Sequence, residues 1–574
     1  MNDEVPNVPQ SIYVKPKPAP RPPAPPMQPY ERVLILALDS VCWEVLLPLV
    51  ADGTMPALGV YLKKANYGVL ESTVPPHTAA AWTTFLTGMD PGRHGVIDFV
   101  GFDPVKHQFK FHDSTKNRAE SLFMRLSSAG ISCGSIFLPR NYPPYALQDG
   151  YIISGFETPG TSSDFTEPHA LRKEVFSVSP KLHFNFEQDW EEVTDDAAFE
   201  RNIDRAIESV KVLESLSLHF QRNNPTKLQV AYLQATDILF HKAWKWCVAA
   251  SAENPPTQRK GCDDSRRRDL IKTFFRRIDQ FINRALGLHS SSTSQRFRPG
   301  GPARTLRLIV SDHGHGSSKG RVFINNFLRD WGYLKPLSGF KSVSRRVTLL
   351  TLDAATRKAR SREMALEWSQ TKAYLAHVGI YGFVYLNLKG REANGIVKPE
   401  DFESVRNDLI KRFLAEKIPG TNDPLFIKVH KGEEIYTRKK ELNLPDLIVV
   451  PADGFYPRKK ITSGPGLRVS PDSVGGIHRT EGVFAFEGPG IVPSNGVGIR
   501  ANIADITPTL LAALGQPLSR RMSGKPLLEI FTDPPNVEYA EDDGDAPPAD
   551  PISVYSKEEQ EEIEKRLQDL GYLE

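Results

Sequence analysis

Cysteine is scarce. Cys42, Cys133, Cys247 and Cys262 are the four in 574 residues, and no two make a CxxC pair. A disulfide framework is excluded, and the usage suits a reducing compartment. Net charge is lacking as well: 72 Lys and Arg against 69 Asp and Glu leave +3. No broad field calls for nucleic acid or an acidic membrane, so no nucleic-acid partner is expected. No uninterrupted apolar run reaches the roughly 18 residues of a membrane span. The opening MNDEVPNVPQ is acidic and polar where a signal peptide would be basic and then apolar. A cytoplasmic protein is the expectation. Internal repeats are missing too, which sets aside solenoids.

What is present is a hydrophobic content of 40% over a long chain, enough for a large α/β core with additions. Residues 1–29 form a proline-rich arm; in KPKPAPRPPAPPMQP (15–29) the missing N–H groups leave an extended, solvated segment with PxxP spacing. The acidic, breaker-rich DPPNVEYAEDDGDAPPADP (533–551) reads as a linker. A helix follows it, with a Ser556/Glu559 capping box, Ile563, Leu567 and Leu570 on one face and Gly571 as its stop, docking back on the core. Residues 251–266 and 288–304 read as surface loops around a helix at 267–286, whose Leu270, Phe274, Ile278, Phe281 and Ile282 share a side.

Three apolar runs organise the rest. VLILALD (33–39), LQVAYLQATD (228–237) and TLRLIVSD (305–312) each read as a buried strand leading into an aspartate. The helical stretches between them imply a mostly parallel central sheet flanked by helices. Ligands bind at the carboxyl edge of such a sheet, so Asp39, Asp237 and Asp312 become candidate neighbours. Taken singly, each is equally a turn or cap residue.

Two of these aspartates carry a histidine nearby. Asp237 and His241 are four apart, on one face if DILFH opens a helix, and Asp312 precedes His313 in SDHGHG, where the glycines predict a tight turn after the strand. His478, in VGGIHRTEG, has a similar glycine-flanked setting. Carboxylates with imidazoles make a divalent-metal set. Thr78, between VPPH and AAAWTTFL, fits either a helix N-cap or a nucleophile.

The pieces LALD (36–39), PPHTAAAWTTFLTGMDPGRHG, Asp237 with His241, SDHG (311–314), GIHR (476–479) and DITPTLLAALG (505–515) together resemble the alkaline phosphatase superfamily, and within it the type I phosphodiesterase/nucleotide pyrophosphatase family. LPRNYPPYALQDGYIISGFETPG (138–160) resembles its prokaryotic members. The resemblance implies an alkaline phosphatase-like fold and a phosphoric ester hydrolase, with a phosphodiesterase first in line. It implies two divalent ions, zinc or else manganese: one held by Asp39, Thr78, Asp312 and His313, the other by Asp237, His241 and His478. Thr78 then attacks phosphorus and becomes phosphothreonine, which water hydrolyses. A phosphate ester is the implied partner.

The resemblance fails at two positions. Ala81 stands where those pyrophosphatases carry an asparagine that holds the phosphoryl group, and Ala79 where they often carry an aromatic, so nucleotide preference does not transfer. His77, Arg140 and Lys319 are candidate substrate contacts, whereas Trp82 reads as core beside Phe85 and Leu86. The implied organisation is a core at 30–334 and 471–530, a small α/β unit inserted at 335–470, and a tail at 531–574. Within the insertion YGFVYLNL, DFESVRNDLIKRFLAEK and LFIKVHKG read as a βαβ unit able to wall the site, and PDLIVV (445–450) as the return to the main sheet. Two alternatives share the frame: a phosphomonoesterase or phosphoglycerate mutase-like phosphotransferase with the same ligands, and a non-catalytic interaction protein using its proline-rich arm. A sulfatase would need a Cys or Ser in C/S-x-P-x-R context where this chain has TAAAW.

Overall fold

The computed structural model describes residues 28–105, 107–184, 190–251, 264–288, 304–337, 365–437, 442–470, 473–540 and 555–569. Most of the proline-rich arm, both polar loops for the greater part, and Leu570 with Gly571 lie outside the described residues.

The three apolar runs become Arg32–Leu38, Leu228–Leu233 and Thr305–Val310, paired in parallel at the centre of a nine-stranded sheet. Cys133–Ile136 and Gly150–Ile153 extend it in parallel on one side, ending in the antiparallel Thr166–Glu167. On the other side come Glu481–Glu487, Asn66–Glu71 and Arg500–Asn502. In the first strand Val33, Ile35 and Ala37 face one hydrophobic cluster while Leu34, Leu36 and Leu38 face the other. That two-sided burial is why the run is continuously apolar rather than alternating. Ala37 stands opposite Tyr232 and Val310, so the three strands end level and deliver their aspartates to one edge.

The strand beside Thr305–Val310 is not PDLIVV but EGVFAFE, Glu481–Glu487, running antiparallel. Val483 and Ala485 face one core and Phe484 and Phe486 the other, as a central strand requires. PDLIVV opens the strand Leu447–Pro451 of a separate four-stranded antiparallel sheet instead. There it lies between Gly382–Leu386 and Phe426–Lys431, which flank the helix Phe402–Ala415. The expected βαβ unit is therefore split by an inserted strand. This unit also reaches back before residue 335. Gly320–Phe323 pairs with Phe455–Arg458 and Leu467–Val469, and Val322, Ile324 and Leu328 belong to its core.

Helix Lys557–Asp569 docks on the main core. Ser556 and Glu559 exchange the two capping-box hydrogen bonds, and Ile563 and Leu567 are buried. Arg566 is buried as well and donates to the carbonyls of Phe156, Thr158 and Pro159. Arg566→Met is expected to leave those acceptors unpaired, at a cost of at least ~2 kcal/mol. Urea unfolding followed by circular dichroism reads this as a lower midpoint; an unchanged midpoint would mean the tail contributes nothing to the fold.

Candidate functional site

The helix Thr78–Thr87 begins at the carboxyl edge of the sheet. Thr78 does not cap it. The N-cap is His77, whose Nδ1 accepts the Ala79 N–H at 3.3 Å and whose Nε2 lies 3.3 Å from Asp98. The Thr78 hydroxyl, fully buried at the first helical position, lies 3.3 Å from His313 Nε2. Helix dipole and first-turn N–H groups favour an anion at this end. The alanines that follow are packed completely, and Trp82 sits in the core with its ring edge-on to Phe85 and Tyr232.

SDHGHG does not form the expected tight turn. Gly314–Ser317 is a short strand paired antiparallel with Gly476–Arg479, His315 directly opposite His478. Glycine at 314 serves a close approach: a Cβ there would stand 2.0 Å from the Glu481 carbonyl oxygen. The same ladder carries the histidine of VGGIHRTEG to the aspartates.

Around His313 the distances are short. Its Nε2 is 3.2 Å from Asp312 and 3.8 Å from Asp39. Asp237 Oδ1 is met by His241 Nε2 at 3.4 Å and His478 Nε2 at 3.3 Å, the helix Ala235–Ser251 having put residues 237 and 241 on one face as the spacing predicted. All seven residues named as ligands, Asp39, Thr78, Asp237, His241, Asp312, His313 and His478, thus converge. Their outer partners orient them. The Pro76 carbonyl lies 3.2 Å from His478 Nδ1 and the Gly314 carbonyl 3.2 Å from His313 Nδ1. A proton on each Nδ1 leaves Nε2 as the lone pair. Tyr232 donates to Asp39 Oδ2, and the Ser40 hydroxyl to Asp237 Oδ1 at 2.5 Å.

These residues suit a divalent cation. Asp39 Oδ1 and Asp312 Oδ2 are buried with no hydrogen-bond partner. Burial, with the neighbouring Asp312 and Asp237 charges, raises the Asp39 carboxyl well above its usual range. Burial, with the Asp237 charge, pushes Asp312 up to about 7. A crowded set of carboxylates in low dielectric calls for a positive partner. The imidazoles of His313 and His315 are held well below their ordinary range, chiefly by burial, hence neutral and ready to ligate. Oxygen and nitrogen donors without thiolate fit zinc and its neighbours in the series.

The other candidates separate. Arg140 is buried against Glu157 at 2.7 Å and donates to the carbonyls of His112 and Asp113, so its guanidinium serves the fold and not a phosphate. Lys319 lies at the surface, 3.7 Å from Asp453. His77 borders the site, but both ring nitrogens face protein groups.

Sequence reasoning passed over two residues. Ser40 has φ +65°, an uncommon conformation outside glycine, and its hydroxyl stands among Asp237, His313 and His315. His315 adjoins Asp237, His241 and His478. Its signal was in view, two residues after His313, but reading the segment as a turn hid the strand that brings it in.

Beside His241 and His478 opens a cavity of about 330 Å³. Lys242, Arg321 and Arg458 contribute cations to its lining, which among the described residues contains no carboxylate, and Gly379, Ile380 and Tyr456 wall it from the inserted unit.

The sequence model of the type I phosphodiesterase / nucleotide pyrophosphatase family matches residues 33–482. No curated protein matches the chain. Among solved structures, phosphonoacetate hydrolase from Sinorhizobium meliloti 1021 is similar at 14% identity and TM-score 0.49, covering 85% of this chain and 96% of that one. Murine ectonucleotide pyrophosphatase / phosphodiesterase 5 is similar at 14% identity and TM-score 0.47, over 88% and 100% of the two chains. The human form gives the same values.

Proposed function

The chain belongs to the type I phosphodiesterase/nucleotide pyrophosphatase family and is a phosphoric ester hydrolase; from that premise we propose that it cleaves phosphodiesters through a phosphothreonine at Thr78. Asp39, Thr78, Asp312 and His313 would hold one divalent ion and Asp237, His241 and His478 a second, zinc or manganese. Such ions supply positive charge for phosphoryl oxygens and lower the pKa of a bound hydroxyl or water.

One observation carries the reading. The Thr78 hydroxyl is buried at a helix N-terminus, 3.3 Å from His313, while His77 does the capping. Thr78 Oγ1 forms the bond to phosphorus as the ester oxygen leaves, and water later breaks that bond, regenerating the hydroxyl. The test is acid quenching during turnover of bis(p-nitrophenyl) phosphate, followed by peptide mass spectrometry. Phosphate on the Thr78 peptide is expected, with the diester turned over faster than p-nitrophenyl phosphate. A phosphate elsewhere would sink the assignment, and monoester preference would favour a phosphomonoesterase.

The cavity supports a substrate class. With Ala79 and Ala81 so small, the inserted unit supplies part of the wall, and the lining cations Lys242, Arg321 and Arg458 suit an ester whose untransferred arm is itself anionic. Arg321 Nε donates to the Tyr456 hydroxyl at 2.9 Å and the Arg458 guanidinium lies over that ring, so the two arginines are set by one tyrosine. Arg321→Gln and Arg458→Gln are each expected to raise KM about tenfold for diesters with an ionised arm, the worth of one charge-assisted hydrogen bond. KM for a neutral-armed diester should stay put; an equal rise for both substrates would contradict an anion-selecting wall.

A further inference from the structure

His315 is buried to 1% exposure in a place where a chain has little reason to put an imidazole. Its strand partner across the ladder is His478, and its ring centre lies 4.7 Å from that of His241. Nδ1 is 3.9 Å from Asp237 Oδ1 and 3.2 Å from the Ser40 hydroxyl, and Nε2 is buried with no hydrogen-bond partner. The ring has been given room deliberately. A Cβ on Gly476 would stand 2.4 Å from His315 Cδ2, so the second glycine of VGGIH is what admits it.

Four donors therefore surround one point: Asp237, His241, His315 and His478, with ligand atoms all within 4.8 Å of one another. Zinc–nitrogen bonds of ~2.1 Å in a tetrahedron set donor atoms about 3.4 Å apart. The separations from Asp237 Oδ1 are 3.3, 3.4 and 3.9 Å, close to that spacing. We infer that His315 is a fourth protein ligand of the ion held by Asp237, His241 and His478. The inference rests on the two-ion reading given above and adds to it a ligand that reading did not include. Zinc sites with four protein ligands are closed, whereas catalytic ones keep a position open. This ion accordingly exchanges slowly and needs a fifth coordination position to take substrate oxygen.

The test compares the full-length wild type, His315→Gln and His241→Ala by metal analysis after dialysis, by zinc titration, and by proton NMR of the cobalt(II)-substituted wild type. Wild type should keep two ions per chain. His315→Gln should bind zinc at one site more than ~100-fold more weakly, beyond the ~10–100-fold that loss of an outer partner costs. The cobalt spectrum should show a shifted exchangeable N–H for each of His241, His313, His315 and His478. It needs no variant, and so decides the matter even if His315→Gln fails to fold. Two ions retained in His315→Gln at wild-type affinity, or no shifted resonance from His315, overturns the fourth ligand while leaving the two-ion site standing. A wild type with fewer than two ions, unchanged in His241→Ala, overturns both.

Discussion

Thr78→Ala is expected to lower kcat/KM for bis(p-nitrophenyl) phosphate by at least ~10³-fold, with the folded state retained. Deleting the nucleophile of a covalent mechanism removes the bond on which both steps depend, and losses of ~10³ to 10⁶ are the common scale. Stability should change little. Thr78 is the first residue of its helix and not the cap, and alanine is the best helix former. A hydroxyl facing His313 in a pocket of buried carboxylates also contributes little to packing. Thr78→Ser, which keeps the oxygen, should recover activity to within about tenfold. The paired measurement is steady-state kinetics with thermal unfolding of the same preparations. Turnover of Thr78→Ala within tenfold of wild type would end the phosphothreonine mechanism, whatever the fate of the fold.

Removing metal is expected to abolish turnover and to destabilise the chain together. Asp39, Asp237 and Asp312 are at most 1% exposed, and burial with the neighbouring carboxylate charges raises the carboxyls of Asp39 and Asp312; a cation at this edge relieves that penalty. Binding of ions to the folded state alone stabilises it by mass action, about 2.7 kcal/mol for each site at a hundredfold excess over Kd. Dialysis against a chelator should therefore lower the unfolding temperature and cut activity by more than ~10³-fold, with zinc or manganese restoring both. Asp237→Ala and His478→Ala should each lose the same ion. A chelated, metal-free protein with full activity would refute the metal reading.

The strand-to-aspartate runs were legible because a strand buried on both faces writes itself as an unbroken apolar stretch, and its end is marked by the first polar residue. The pairing of Asp237 with His241 was legible for a similar reason: a helical spacing of four fixes a common face. The C-terminal helix announced its start through Ser556 and Glu559 and its buried side through Ile563 and Leu567. In each case the information is local, a period or a cap within one element.

What failed was non-local. PDLIVV and EGVFAFE are equally good strands, and nothing within either says which sheet it joins; that depends on which partner edge the folded chain leaves open. Arg140 sat after a strand like a phosphate ligand, but Glu157, seventeen residues on, and two carbonyls claim it. SDHGHG looked like a turn because its glycines were read as freedom, when one of them makes way for the backbone of Glu481.

The sequence by itself determined the central parallel sheet, the edge at which its aspartates lie, and the residue types able to hold divalent ions beside Thr78, because periodicity and spacing act within single elements. Only the tertiary structure decided that His77 and not Thr78 caps the helix, that His315 and Ser40 enter the site, and that cations from the inserted unit wall it. The His77 cap is a contact with Ala79, two residues on; the others arise from chain segments far apart in sequence, as with His315 and Ser40, meeting across a packed interior, where sterics and desolvation select the neighbours and no local pattern records them.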